Sequence, residues 1–127
     1  MITEAELLAK LPRGLYIDGE WVDAEGGATL AVNDPSTGEL LVEIASASVA
    51  DGKRAMDAAA NAQASWGATA PRVRGEILRR AFELVTERAD EFALLMTLEM
   101  GKPLAESRGE VAYGAEFLRW FSEEAVR

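Results

Sequence analysis

Residues 101–102 of this 127-residue chain are Gly-Lys, the pair at the centre of many phosphate-binding loops. Such a loop has the pattern G-x-x-x-x-G-K-[ST], in which backbone amides cradle phosphate and the final hydroxyl binds magnesium. In the stretch "TLEMGKPLAE" the first glycine of that pattern would fall at Met96, and the hydroxyl position holds Pro103. The loop should also follow a strand, whereas the residues before Gly101 have a helical pattern. The stretch reads better as a joint between two helices. Gly101 takes the left-handed position that ends one helix. Lys102 places a cation at the negative helix end. Pro103 starts the next helix with its preset φ. Glu99, a carboxylate in the last turn, is electrostatically unfavourable there unless Lys102 or a group elsewhere in the fold pairs with it.

Other catalytic chemistries are thinly supplied. The chain has no Cys and no His, so a thiol nucleophile, an imidazole base, a disulfide and a Cys/His zinc site are all excluded within these residues. Neighbouring acids such as Glu123-Glu124 point about 100° apart on a helix and cannot converge on one substrate atom. No G-x-G-x-x-G dinucleotide fingerprint occurs. No residue is therefore assigned a catalytic, cofactor-binding or metal-binding role. The remaining candidate is an aromatic stripe, Tyr113, Phe117, Trp120 and Phe121, spaced i, i+4, i+7 and i+8 on one helix face. It can pack as core or interface, or it can wall an apolar tunnel for a small ligand. Glu116, Arg119, Glu123 and Arg127 alternate in charge and are expected on a different, solvated face.

Composition narrows the partners. Lys+Arg 13 against Asp+Glu 22 gives a net charge of −9, which repels polyanions and argues against nucleic acid and anionic membranes. The longest apolar run, Phe92–Met96, is far short of the roughly 20 residues that span a bilayer. The N-terminal "MITEAELLAKLPRG" carries Glu4 and Glu6 where an export signal would be basic, so residues 1–14 are expected to form a solvent-facing arm or short helix. A cytoplasmic location is the default expectation.

The elements that must position these residues fall into two groups. In "LYIDGEWV", Asp18-Gly19 suits a two-residue type I′ turn between short strands. Leu30–Val32 and Leu40–Ile44 form a second strand pair around the turn cluster "NDPSTG". From Ser48 the period becomes helical. Ser48-Val-Ala-Asp51 is a capping-box variant, and Val49, Met56, Ala59, Ala60, Gln63 and Trp66 follow at helical spacing up to Gly67. Pro71 opens a second helix with Val73, Ile77, Ala81, Leu84 and Val85 as its inward stripe and Arg72, Arg74, Arg79 and Arg80 on a solvated face. A third helix spans about Asp90–Met100 with Phe92, Leu95 and Met96 inward. A fourth runs from Pro103 toward Arg127. The expected fold is α+β: two short N-terminal β-hairpins followed by about four α-helices.

This ordered set resembles the N-terminal segment of an NAD(P)-dependent aldehyde dehydrogenase. The carriers are the "YIDGEW" hairpin, "NDPSTGELL", the Ala-rich helix ending at Trp66, "RGEILRRAFELV" and "LEMGKPLAESRGEVAYGAEFLRWFSEEA". The last is similar to the succinate-semialdehyde dehydrogenase branch. The resemblance implies that residues 15–127 are an incomplete, outer part of an α/β, Rossmann-type cofactor-binding domain. It implies an intact homo-oligomeric enzyme that oxidises a small aldehyde with NAD or NADP. There a Cys thiolate attacks the aldehyde, hydride passes to the nicotinamide, and a Glu activates water to release the acid, with an Asn and a backbone amide on the oxyanion. All of these lie beyond the matched segment, so this chain alone is expected to bind no cofactor and to be inactive. The resemblance also places Glu110, Tyr113 and Phe117 beside the substrate entrance. The alternative is a non-catalytic, self-associating structural or binding module.

Overall fold

A computed structural model describes residues 2–127. The chain forms two compact units: the N-terminal residues up to Leu7 together with Thr69–Arg127, and Leu8–Ala68.

The unit Leu8–Ala68 holds both strand pairs. β1 (Leu15–Ile17) and β2 (Glu20–Val22) are antiparallel, with Tyr16 opposite Trp21. Asp18 and Gly19 close the turn with φ of 54° and 84°, the two positive angles of the expected type I′ geometry. Tyr16 and Trp21 lie with ring centroids 5.2 Å apart. β3 (Thr29–Asn33) pairs with β4 (Leu40–Ala45), and an irregularity at Val32/Asn33 leaves Leu41 as an extra residue on β4. The turn is built by Asp34, whose side chain accepts from the Ser36 N–H at 2.7 Å and the Ser36 hydroxyl at 2.5 Å. A 3-10 turn at Glu25–Gly27, not foreseen from sequence, precedes β3.

Helix α2 (Val49–Ala68) begins with the expected capping box. Ser48 Oγ accepts from the Asp51 N–H at 3.1 Å, and Asp51 Oδ2 accepts from the Ser48 N–H at 2.8 Å. Asp51 also accepts from the Glu25 N–H at 3.0 Å, tying the 3-10 turn to the helix start, and pairs with Arg54. Its side chain is fully buried. Hydrogen bonds, first from the Ser48 backbone and then from the Glu25 backbone, hold its carboxyl far below the usual carboxylate range. The residues that recur at helical spacing along α2 do not face inward here. Val49, Met56, Ala59, Ala60, Gln63 and Trp66 are all exposed, and Asp51 is the helix's buried residue. Periodicity identifies an apolar face but cannot say whether residues 2–127 cover it.

The second unit is helical. Helix α1 (Glu4–Lys10), which crosses the boundary between the units after Leu7, starts on a Thr3/Glu6 capping box, with the Thr3 N–H donating to Glu6 at 2.9 Å. Most of α1 faces solvent as expected, yet Leu7 is buried. Helix α3 (Pro71–Glu87) has Pro71 at its first position as predicted. Helix α4 (Ala89–Met100) follows across Arg88, and helix α5 (Leu104–Glu124) packs on both α3 and α4.

The buried faces differ from those read from large side chains. On α3, Val73, Ile77 and Leu84 are exposed, while Gly75 is buried and Leu78, Phe82 and Val85 are half-buried. On α4, Ala93 and Leu98 are buried, Leu95 and Met96 half-buried, and Phe92 exposed beneath the Arg88 guanidinium at 5.5 Å. On α5 the buried residues are Ser107, Val111, Ala115 and Ser122. Small residues let the helix backbones approach closely. A Cβ built on Gly75 would lie 2.7 Å from the Ser122 carbonyl oxygen.

Two outcomes test this packing. Gly75→Ala gains about 1 kcal/mol of helix preference but overpacks against a backbone oxygen that cannot swing away, at about 1–3 kcal/mol. The urea midpoint of the chain should fall. Gly114→Ala, also in a helix but with open space around its Cβ position, should stabilise the chain by about 0.5–1 kcal/mol and so raise that midpoint. Asp51 supplies a pH test. Because its folded-state pKa is depressed, its stabilisation is present above the unfolded value of 3.8 and fades as pH falls further through the folded value. Asp51→Asn should lower the midpoint at neutral pH and flatten that acid-side decline.

Candidate functional site

The helix joint behaves structurally as expected. Gly101 sits in the left-handed region at φ 72°, ψ 9°, and its N–H donates to the Thr97 carbonyl at 2.8 Å. Pro103, expected as the first residue of the next helix, is instead its N-cap, with ψ 138° and its carbonyl accepting from Glu106 and Ser107. Its fixed φ serves both positions, so composition could not separate them. Thr97 Oγ1 and Ser107 Oγ lie 2.9 Å apart and tie α4 to α5 across the joint. Lys102 does not pair with Glu99. It reaches forward to Glu110 on α5.

All three proposed wall residues stand on α5. Tyr113 and Phe117 are in edge-to-face contact, with centroids 5.1 Å apart and planes at 88°. Glu110 is a turn earlier and is engaged by Lys102. The wider stripe is uncovered: Tyr113 is 68% exposed, Phe117 49%, Trp120 59% and Phe121 55%. Core packing within residues 2–127 is thus not the stripe's role. The reason is geometric. α5 turns its small residues toward α3 and α4, and the aromatics occupy the other side.

Tyr113, Glu116, Phe117, Trp120 and Phe121 line a shallow depression of about 360 Å³. Glu116 was expected on a separate charged face, but it forms the depression's rim. Its spacing shows why: Glu116 is three residues after Tyr113 and four before Trp120, which makes it a neighbour of both. Arg119 Nη2 and Nε hold Glu116 at 2.5 and 2.8 Å, and Arg119 also meets Glu123 at 3.6 Å. The Glu116 hydrogen bond, then its charge, raise the Arg119 pKa above its ordinary value.

The described residues offer an apolar wall with two ion-paired carboxylates. Among them no group of three or more His, Cys, Asp or Glu could hold a metal ion, and no helix is long and apolar enough to cross a membrane. They do not form a nucleotide cradle of the glycine-rich kind, so no reaction step through a nicotinamide is derived from them.

The model of the aldehyde dehydrogenase family matches residues 21–127. The chain belongs to the aldehyde dehydrogenase family. It is 72% identical over 88 residues to a succinate-semialdehyde dehydrogenase of Paenarthrobacter nicotinovorans, covering 69% of this chain and 20% of that protein. It is 49% identical over 112 residues to a glutarate-semialdehyde dehydrogenase of Pseudomonas aeruginosa, covering 88% and 23%. An Escherichia coli succinate-semialdehyde dehydrogenase designated NADP(+) is 43% identical over 111 residues, covering 87% and 23%. The solved structure of PnpE in complex with nicotinamide adenine dinucleotide superposes with a TM-score of 0.85 at 37% identity, covering 89% of this chain and 23% of that one. The chain thus spans about a fifth to a quarter of the length of these relatives. In this aldehyde dehydrogenase chain, two strand pairs and five helices match the N-terminal part of solved family members, in agreement with the expected α+β class.

An uncovered aromatic stripe should bind a hydrophobic dye when the chain is studied alone. Replacing Phe121 with Ser should reduce 1-anilinonaphthalene-8-sulfonate fluorescence clearly, while Val126→Ser, exposed but outside the depression, should change it little.

Proposed function

We propose that this chain is the N-terminal part of an aldehyde dehydrogenase that oxidises a short semialdehyde, succinate semialdehyde, to the dicarboxylate with NAD+ or NADP+. The observation that carries the substrate is the 72% identity to a succinate-semialdehyde dehydrogenase, well above the 49% to a glutarate-semialdehyde dehydrogenase. Residues 15–127 would be the outer part of the cofactor-binding domain and residues 1–14 an arm carrying α1. The intact enzyme would be cytoplasmic and homo-oligomeric.

The reactive thiolate, the water-activating carboxylate, the oxyanion donors and the nicotinamide site would come from outside these residues. The cofactor, once bound, supplies hydride acceptance. What this chain contributes is a wall: Tyr113 and Phe117 present ring edges and faces along the substrate route and exclude water from it, with Glu110 at its margin. The exposure of these rings and their mutual contact support that role.

The purified 127-residue chain should not reduce NAD+ or NADP+ with succinate semialdehyde, whereas the open reading frame extended beyond Arg127 into a Cys-bearing segment should do so. Turnover by the chain alone would overturn the division of labour. A uniform, cooperatively melting oligomer of the chain alone, with its aromatic stripe buried, would favour the self-associating module instead.

A further inference from the structure

Two carboxylates beside the Tyr113–Phe117 pair of α5 are held by cations. Glu110, three residues before Tyr113, is ion-paired with Lys102, whose side chain is only 18% exposed. Glu116, on the rim of the depression, is clamped by Arg119. Helix-end electrostatics alone would let Lys102 serve Glu99, three residues away. Instead it crosses the joint to a residue eight positions on. The lining of the depression, Tyr113, Glu116, Phe117, Trp120 and Phe121, holds no positive charge. The whole chain carries −9. A substrate bearing its own carboxylate would meet a repulsive wall if either acid stood unpaired.

The geometry points to Lys102 and Arg119 as specificity-determining residues: they mask Glu110 and Glu116 so that an anionic aldehyde can approach the Tyr113–Phe117 wall. This rests on the reading of that wall as part of a semialdehyde route. A unit charge unmasked about 8 Å from an anion, in surroundings between water and protein interior, alters its binding about threefold to tenfold, and salt reduces the effect.

The test uses the complete enzyme and two aldehydes of matched length, succinate semialdehyde and uncharged butanal. Lys102→Met should raise KM for succinate semialdehyde about threefold to tenfold at low ionic strength and shift KM for butanal by less than about twofold. The increase should shrink as salt is added. Glu110→Gln should act in the opposite sense and lower KM for the anion, and the double variant should return toward the parent. Arg119→Gln, at a half-exposed position where misfolding is not at issue, should repeat the selective rise. If Lys102→Met and Glu110→Gln harm both aldehydes alike, or the shift ignores salt, the pair is merely structural and the inference fails. An enzyme that oxidises butanal but no semialdehyde would instead defeat the substrate reading on which the inference rests.

Discussion

The contact between Gly75 of α3 and the Ser122 carbonyl of α5 decides how the helical unit is arranged. With 2.7 Å between that oxygen and the place a Cβ would take, the two helices meet backbone to backbone. α5 makes this approach along its buried side, where Ser107, Ala115 and Ser122 are small. Once that side is committed to α3 and α4, Tyr113, Phe117, Trp120 and Phe121 must emerge on the other. The candidate site is therefore a by-product of which residues are small. The large residues take the surface that is left.

The same logic explains what could and could not be read from the amino-acid order. Local chemistry was legible. Asp18-Gly19 makes its turn, Ser48 and Asp51 cap α2, Pro71 opens α3 and Gly101 closes α4, because each depends on atoms a few residues apart. A second capping box at Thr3 and Glu6 carried the same S/T-x-x-E signal and went unread. Burial was less legible. Choosing inward faces by large apolar residues picked Val73, Ile77 and Phe92, which are exposed, over Gly75 and Ala93, which are buried. A glycine or alanine seam gives almost no hydrophobic signal, since its value lies in dispersion contacts between backbones. The aromatic stripe was legible as a stripe, but whether it is covered depends on atoms outside residues 2–127.

Charge is distributed in a way that keeps the helical surfaces tied locally. Arg79 meets Glu76 and Glu83, Arg80 meets Glu83 and Glu87, and Arg119 meets Glu116 and Glu123. All but Arg80–Glu87, seven residues apart, are i,i+3 or i,i+4 pairs, which stabilise by only about 0.2–0.5 kcal/mol each. Their greater effect is on the field, because they prevent a chain of net −9 from presenting unbroken negative faces. Lys102–Glu110 differs in kind. It ties the joint between α4 and α5 to the body of α5 and half-buries its cation, so it shapes the potential at the joint and not along a single helix.

Both strand pairs in Leu8–Ala68 are closed by neighbours in sequence, one across two residues and the other across a six-residue turn held by Asp34. Loop closure over such distances costs little entropy and takes microseconds. Synthesis adds residues thousands of times more slowly. Each hairpin can thus zip and unzip repeatedly on the ribosome before the codons for α3, α4 and α5 have been read. In this chain of the aldehyde dehydrogenase family, the hairpins can close before the helices that follow them in sequence exist.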